Sequence, residues 1–214
     1  IIAYRELRLL EMEIVKTLLK GQTVTDINYY FLLDVDQFYG IEYEEFPAQI
    51  AQVAMWLIDH QMNMKASETF GEYYVRLPLR KSANIRHGNA LRVDWQSLIE
   101  PMPWEKGEAK FDFILGNPPF IGHQWRNENQ MKDMALVFGD AKRAGRLDYV
   151  TAWYIRASQY MQEFNTPNFK DSQNTKTAFV STNSIAQGEQ VSILWSELFN
   201  KFQIKIQFTH RTFK

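Results

Sequence analysis

The chain has 214 residues, of which 45% are hydrophobic and 23% charged, values typical of a globular protein. Its 24 basic and 25 acidic residues nearly cancel, so composition alone indicates no nucleic-acid partner. Cysteine is absent, which excludes disulfides, thiol nucleophiles and iron–sulfur clusters. The apolar stretches are too short to span a membrane and no signal peptide is recognisable, so we expect a cytoplasmic protein with no membrane partner.

The first half of the chain predicts two helices and a short strand. Apolar positions at three- and four-residue spacing predict a helix over 2–20 that is ended by Gly21. These positions are Leu7, Leu10, Ile14, Leu18 and Leu19. A strand is predicted over 37–42, and a well-buried helix from about Pro47 to about Met64. The apolar run of that helix comprises Ile50, Val53, Ala54, Trp56 and Leu57.

Strands continue to alternate with helices in the rest of the chain. A short strand or an irregular connection is predicted over 73–77. Two apolar runs predict strands that are buried inside a sheet, 111–116 and 178–182. Helices are predicted over 148–163 and 188–200, and a last strand over 203–209.

This alternation predicts α/β architecture with a mainly parallel sheet. Ligands of such sheets bind beyond the carboxyl ends of the strands, so the residues that follow each strand are the candidates for chemistry. The chain opens directly in a helical pattern at Ile1 and stops soon after its last predicted strand. We therefore expect a piece of a longer polypeptide, with a fold that is incomplete at both ends.

The most specific motif follows the strand 111–116. It is Asn117-Pro118-Pro119-Phe120. Proline lacks a backbone N–H and has a fixed φ, so two consecutive prolines stiffen the loop and leave carbonyl groups free to accept hydrogen bonds. A strand-ending turn is the alternative interpretation.

The stretch 115–122 (LGNPPFIG) resembles motif IV of the amino-methyltransferases that use S-adenosylmethionine. It most resembles the gamma-class adenine DNA methyltransferases, and among them the single-chain restriction–modification enzymes. Other stretches resemble further motifs in the family's order. They are 40–42 (motif II), 88–91 (motif III), 148–149 (motif V), 180–191 (motif VI) and 208–213 (the beginning of motif VIII).

The resemblance implies a Rossmann-like class I methyltransferase fold, with residues 1–214 as a fragment of the catalytic domain. The glycine-rich loop of motif I is absent, since no GxG occurs in the chain. In the family this loop immediately precedes the helix that corresponds to 2–20. We therefore expect the chain to start just after it.

The same resemblance implies roles for the motif IV loop. The side-chain carbonyl of Asn117 and the backbone carbonyl of Pro118 would accept the hydrogens of an exocyclic amine and favour charge developing on its nitrogen. Pro119 would stiffen the loop. Phe120 would stack on a flipped base, with core packing as its alternative role.

The resemblance also implies a site for the cofactor S-adenosylmethionine. Glu42 would accept hydrogen bonds from ribose hydroxyls, and Asn89 would bind the adenine edge. Ile41 and Ala90 would flank the adenine ring, and Asp148 would line the pocket. The alternatives are a solvated charge for Glu42, a turn residue for Asn89 and a helix N-cap for Asp148.

Contacts with DNA are expected from Arg126 and Arg143 to phosphates and from Phe213 as a second stacking residue. A plain solvated face is the alternative for the stretch 123–146. No metal site is predicted, because the four histidines lack metal-ligand spacing. Asp94 and the sequence 108–110 (EAK) imitate a nuclease metal site, but their position in a loop argues against one.

The function implied by the resemblance is methylation of adenine in double-stranded DNA. Nuclease and target-recognition domains are expected in the same longer polypeptide. Two alternatives stay open. One is a methylase of another planar amine, such as RNA guanine or protein glutamine, and the other is a non-catalytic, methylase-like DNA-binding module.

Overall fold

A computed structural model describes residues 1–20, 27–71, 83–99, 109–139, 144–164 and 174–210. The chain forms two compact units, Ile1–Asp94 and Trp95–Lys214. Both contain helices and parallel strands, as the α/β pattern predicts. None of the helices in the described ranges is long and apolar enough to cross a membrane. The predicted strand 73–77 and the predicted stop at Gly21 lie outside the described residues.

The first unit contains two helices and one parallel strand pair. In chain order these are α1 (Ile2–Leu19), β1 (Tyr39–Glu42), α2 (Glu45–Phe70) and β2 (Asn84–His87). Tyr39 lies opposite Asn84 and Glu42 opposite His87. The pairing continues past the strand end, where the Gly88 amide donates to the Glu42 carbonyl over 2.8 Å. The carboxyl ends of β1 and β2 therefore lie side by side.

α2 is longer than predicted at both ends. It begins at Glu45, so Pro47 lies in its first turn, where a missing N–H breaks no helical hydrogen bond. It runs six residues beyond Met64 and ends at Gly71, which adopts a φ of 71°. That left-handed conformation favours glycine and closes the helix with a hydrogen bond from the Gly71 amide to the Ser67 carbonyl.

α1 buries a different face from the predicted one. The apolar positions Leu7, Leu10, Ile14 and Leu18 are all exposed. The buried positions are Tyr4, Arg8, Met12, Val15 and Leu19. This face also repeats every three or four residues, but a buried arginine in its middle hides it from a reading based on apolar residues.

A polar network between α1 and α2 makes this burial possible. The Arg8 guanidinium donates to the Asn63 side-chain oxygen over 3.0 Å and to Glu11 over 2.8 Å. Asp59 accepts from the Tyr4 hydroxyl at 2.5 Å and from the Asn63 amide at 3.1 Å. Burial is the largest cause that raises the pKa of Tyr4, and the hydrogen bond to Asp59 is the second. The Tyr4 hydroxyl therefore stays protonated and remains a donor. Paired in this way, buried polar groups avoid the cost of lost hydration.

The predicted burial of α2 is also only partly correct. Ile50, Val53 and Leu57 are exposed, whereas the helix buries Met55, Ile58 and Met62 together with the polar network. Both helices thus place polar side chains at their mutual contact and leave apolar residues outside. The hydrophobic pattern alone therefore gives the wrong face for each.

The second unit contains β3 (Phe113–Gly116), α3 (Glu128–Phe138), α4 (Thr151–Phe164), β4 (Lys176–Phe179) and α5 (Gln190–Ser196). A π-helical turn, Glu197–Lys201, continues α5. β3 and β4 pair in parallel, with Phe113 opposite Lys176 and Gly116 opposite Phe179. The helices over 148–163 and 188–200 are confirmed to within three residues at each end.

Two expectations for this unit are wrong, and one helix was not predicted. Neither strand is buried on both faces: Phe113 and Leu115 are exposed, and β4 likewise alternates between exposed and half-buried positions. Residues 203–209 form no strand, since Gln203 has a φ of 54° and no described strand pairs with this segment. The sequence analysis did not predict α3, although a capping box of Asn127 and Gln130 marks the start of this helix.

Replacing Tyr4 by phenylalanine tests the network between α1 and α2. The Asp59 carboxylate would lose one donor while buried, so we expect the Tyr4→Phe variant to lose about 1–3 kcal/mol of local stability. Hydrogen exchange of peptides from α1 and α2 measures this loss. The control is Tyr29→Phe, because the Tyr29 side chain is 83% exposed. Equal protection in both variants would contradict the role given to the network.

Candidate active site

The loop Asn117–Phe120 directly follows β3, as the motif predicts. Pro118 is buried, whereas Asn117 and Pro119 are exposed. The Pro119 carbonyl accepts the Ile121 amide at 3.2 Å. Among the described residues, nothing donates a hydrogen bond to the Pro118 carbonyl or pairs with the Asn117 side chain. Two oxygen acceptors at the carboxyl end of β3 thus have no hydrogen-bond donor among the described residues.

The start of the loop is fixed by close packing between the two strands. The Val180 amide donates to the Gly116 carbonyl over 3.0 Å, so the pairing of β3 and β4 extends to the residue before Asn117. A Cβ at Gly116 would lie 3.0 and 3.1 Å from two carbons of the Phe179 ring. That ring also packs edge-on against Tyr154, with centroids 5.3 Å apart. Gly116 therefore leaves room for an aromatic ring that supports the loop.

The far end of the loop is bound to the segment before α4. The Tyr149 amide donates to the Ile121 carbonyl over 2.8 Å. The His123 amide donates to the Asp148 carboxylate over 3.0 Å. The Asp148 amide in turn donates to the side-chain oxygen of Gln190, at the start of α5, over 2.9 Å. Segments that resemble motifs IV, V and VI therefore meet at Asp148.

Asp148 keeps its negative charge in this setting. Desolvation raises the pKa of its carboxyl, but hydrogen bonds from Gln190, Ser184 and the His123 amide together outweigh that effect and lower the pKa. Its role at α4 differs from an N-cap made by a side chain. The amide and hydroxyl of Thr151 donate to the backbone carbonyl of Asp148, which leaves the carboxylate to the loop.

Arg126 is bound within the same region. Its Nε donates to the His123 carbonyl over 3.2 Å and its Nη2 to the Gly145 carbonyl over 2.9 Å. Desolvation lowers the pKa of Arg126, and the nearby charge of Asp148 opposes this. These contacts tie the guanidinium to the loop, and phosphate contact by Arg126 stays a prediction. Arg143 and Phe213 lie outside the described residues.

The residues predicted to bind the cofactor lie at the ends of β1 and β2. Glu42 Oε1 accepts the amides of Tyr43 at 2.9 Å and Glu44 at 3.3 Å, while Oε2 has no hydrogen bond within the described residues. Asn89 Oδ1 accepts the Leu91 amide at 2.9 Å, which is the turn role that the sequence left open. Their contact with a cofactor stays a prediction.

The structure thus brings the predicted residues together in two groups. Glu42 and Asn89 lie at the adjacent carboxyl ends of β1 and β2 in the first unit, and their chain neighbours Ile41 and Ala90 are half-buried. The motif IV loop meets Asp148 in the second unit. Sequence reasoning missed the contact of Gln190 with Asp148, because no motif or residue spacing in the sequence predicts it.

The described part of the chain shows no metal site beside either group. The described residues contain no cluster of three or more acidic or histidine side chains that could hold an ion. A surface depression of about 420 Å³ is lined by α5 and the turn after it, and includes none of the predicted site residues.

The Gly116→Ala variant tests the support of the loop. The added methyl group would displace the Phe179 ring or the strand, so we expect a loss of about 1–3 kcal/mol in the stability of the second unit. Thermal unfolding measures it. The control adds the same methyl group in a Phe179→Ala background, where the ring that it would displace is absent, so we expect little further loss there. An unchanged stability for Gly116→Ala would contradict the packing argument.

Comparisons with known proteins agree with this arrangement. The family model described as the DNA-methyltransferase domain of MmeI matches residues 1–214. DNA methyltransferase A of Bacillus subtilis (strain 168) is 40% identical over 215 residues, which is 100% of this chain and 22% of that protein. A solved structure of the type IIL restriction–modification enzyme MmeI in complex with DNA is similar with a TM-score of 0.78 and 50% identity. That match covers 93% of this chain and 25% of the MmeI chain.

The chain therefore spans about a quarter of the length of these relatives. The resemblance to the methylase part of single-chain restriction–modification enzymes is confirmed. The loop after β3 and the parallel strand pairs are the features that agree with it. Because the family model matches the whole length of the chain, the chain belongs to the family of MmeI-type DNA-methyltransferase domains.

Proposed function

We propose that this domain transfers a methyl group from S-adenosylmethionine to the exocyclic amine of adenine in double-stranded DNA. The observation that carries the proposal is a pair of acceptors on the loop after β3, the Asn117 side-chain oxygen and the Pro118 carbonyl, to which no described residue donates a hydrogen bond. The membership of the family supplies DNA methylation as the reaction class. The choice of adenine rests on the asparagine at position 117.

The chemistry follows from the amine. Its lone pair is conjugated into the aromatic ring, so the nitrogen is a poor nucleophile while it stays planar. The two acceptors would hold one amine hydrogen each and favour the tetrahedral geometry in which the lone pair is available. They would also stabilise the positive charge that grows on nitrogen during attack. Direct displacement then needs positioning rather than a covalent intermediate with the protein.

Phe120 would support the base. Its side chain is 49% exposed although it is large and apolar, and it lies three residues from Asn117. A base inside a duplex is out of reach of such a loop, so the adenine must be flipped out. Stacking on the exposed ring would offset part of the cost of unstacking the base.

The cofactor would be held by the first unit. S-adenosylmethionine brings its methyl group on a sulfonium, which carries its own leaving group. The Oε2 of Glu42, which has no hydrogen bond among the described residues, can accept hydrogen bonds from ribose hydroxyls, and its Oε1 already accepts from two backbone amides. Asn89 would bind the adenine edge between the half-buried Ile41 and Ala90. The likeness to MmeI supports a Rossmann-like class I fold for the domain.

The remaining partners are proposed from the length of the relatives. Since the chain spans 22% and 25% of the two relatives, nuclease and target-recognition domains would lie elsewhere in a longer, cytoplasmic polypeptide. Arg126, Arg143 and Phe213 would contribute DNA contacts near the loop. Transfer to RNA, to protein or to no substrate corresponds to the alternatives that the sequence leaves open.

Replacing Asn117 by alanine tests the reaction. We expect the full-length protein to place label from S-adenosylmethionine in N6-methyladenosine of unmethylated duplex DNA. The Asn117→Ala variant should lose about 100- to 1,000-fold in rate, because one of two acceptors for the amine is removed. The control Asn84→Ala removes an exposed amide that donates to the Asp36 carbonyl. Separation of the labelled nucleosides gives the result.

Label in cytosine, RNA or protein would keep the loop chemistry and refute the choice of adenine in DNA. Cofactor binding without any transfer would favour the non-catalytic alternative.

Replacing Phe120 tests the stacking. We expect the Phe120→Ala variant to hold the flipped base less tightly by about 1–3 kcal/mol, while Phe120→Tyr keeps an aromatic ring and most of the stacking. Fluorescence of 2-aminopurine at the target position reports the flipped base. Equal signals from the two variants would assign Phe120 to packing instead.

A further inference from the structure

Asp148 touches the far end of the motif IV loop through a charge-assisted hydrogen bond. Its carboxylate accepts the His123 amide at 3.0 Å, and the next residue, Tyr149, donates its amide to the Ile121 carbonyl over 2.8 Å. Two consecutive residues thus bind two backbone groups on either side of Gly122. Such a double contact fixes both the position and the direction of the chain there.

Asp148 is itself held in place from α5. Its amide donates to the Gln190 side-chain oxygen over 2.9 Å. Burial raises the pKa of the Asp148 carboxyl, but hydrogen bonding by Gln190, Ser184 and the His123 amide together with the charge of His123 outweighs this and lowers the pKa. The side chain of Asp148 is 13% exposed, so these hydrogen bonds face little competition from water.

The loop between Gly116 and His123 is therefore anchored at both ends. β4 holds its start through the Val180 amide, and Asp148 holds its end. The two prolines between these anchors have fixed φ angles, so little freedom remains in the backbone. The oxygens of Asn117 and Pro118, to which no described residue donates a hydrogen bond, lie between these two anchors.

We propose that Asp148 is a positioning residue for methyl transfer, which acts by holding the His123 amide, and that Gln190 positions Asp148. The inference rests on the proposed function of the loop. It departs from the cofactor-lining role that the family resemblance implies for Asp148. The two roles differ in what a substitution changes: a positioning residue affects the rate of transfer, and a cofactor contact affects cofactor affinity.

The test uses the full-length protein and single-turnover methylation of duplex DNA. We expect Asp148→Ala to lower the transfer rate by about 100-fold, the loss associated with a shift of about 1 Å in a reacting group. Its affinity for S-adenosylmethionine should match that of the wild type. Hydrogen exchange in peptides that cover 118–126 should become faster, because the His123 amide loses its acceptor.

Exchange of the two side chains provides a rescue. Asp148→Asn keeps an oxygen for the His123 amide but places an amide against the amide of Gln190, so we expect an intermediate rate. The double variant Asp148→Asn/Gln190→Glu restores one carboxylate and one amide in the pair, and it should regain rate over Asp148→Asn alone. Glu189→Gln is the neighbouring control, since its side chain is 77% exposed and pairs with Arg146 at 3.2 Å.

Three results would overturn the inference. They are weaker cofactor binding with an unchanged transfer rate in Asp148→Ala, unchanged exchange over 118–126, and no gain in the double variant. Asn117→Ala separates this failure from that of the proposed function, because it should lower the transfer rate about 100- to 1,000-fold and leave the exchange over 118–126 unchanged. If the wild type transfers no methyl group but Asp148→Ala still speeds hydrogen exchange over 118–126, then Asp148 does anchor the loop and it is the proposed function that fails.

Discussion

The parallel register of β3 and β4 is the constraint on which the candidate site depends. It places Gly116 opposite Phe179, and the following hydrogen bond from the Val180 amide fixes the point where the loop leaves the sheet. Parallel strands end at the same edge, so the segment after β4 and the loop after β3 emerge together. From that edge, the exposed side chain of Asn117 and the carbonyl of Pro118 are presented with no competing partner among the described residues.

Local chemistry made the loop predictable from the sequence. Asparagine and two prolines after an apolar strand restrict the backbone whatever packs around them, so their place at a strand end follows directly. The same holds for Gly40, Ile41 and Glu42, which end β1 as expected. The braced geometry was not predictable, because the contacts of Asp148 with His123 and Gln190 join residues 25 and 42 positions apart. Only tertiary packing brings such residues together.

The helices show the opposite limit. For α1, a count of apolar residues selects the stripe with Leu7 and Ile14, yet the buried face contains Arg8 and Tyr4. A buried arginine needs hydrogen-bond acceptors, and one acceptor of Arg8 is the Asn63 side chain in the middle of α2, which in turn donates to Asp59. This match depends on the relation between two helices. The residue pattern of one helix contains no information about this match, so the pattern of α1 predicts the wrong buried face.

The motif IV loop is held through backbone atoms as much as through side chains. The Ile121 carbonyl and the His123 amide make the contacts at its far end, and every residue except proline at 123 supplies both groups. Mutation can therefore alter the side chain at 121 while the backbone contacts that hold the amine acceptors stay in place. Loops of this kind give evolution a region beside a fixed reaction centre in which neighbouring surface chemistry can drift. A change in what such an enzyme contacts next to its target base then requires no rebuilding of its catalytic geometry.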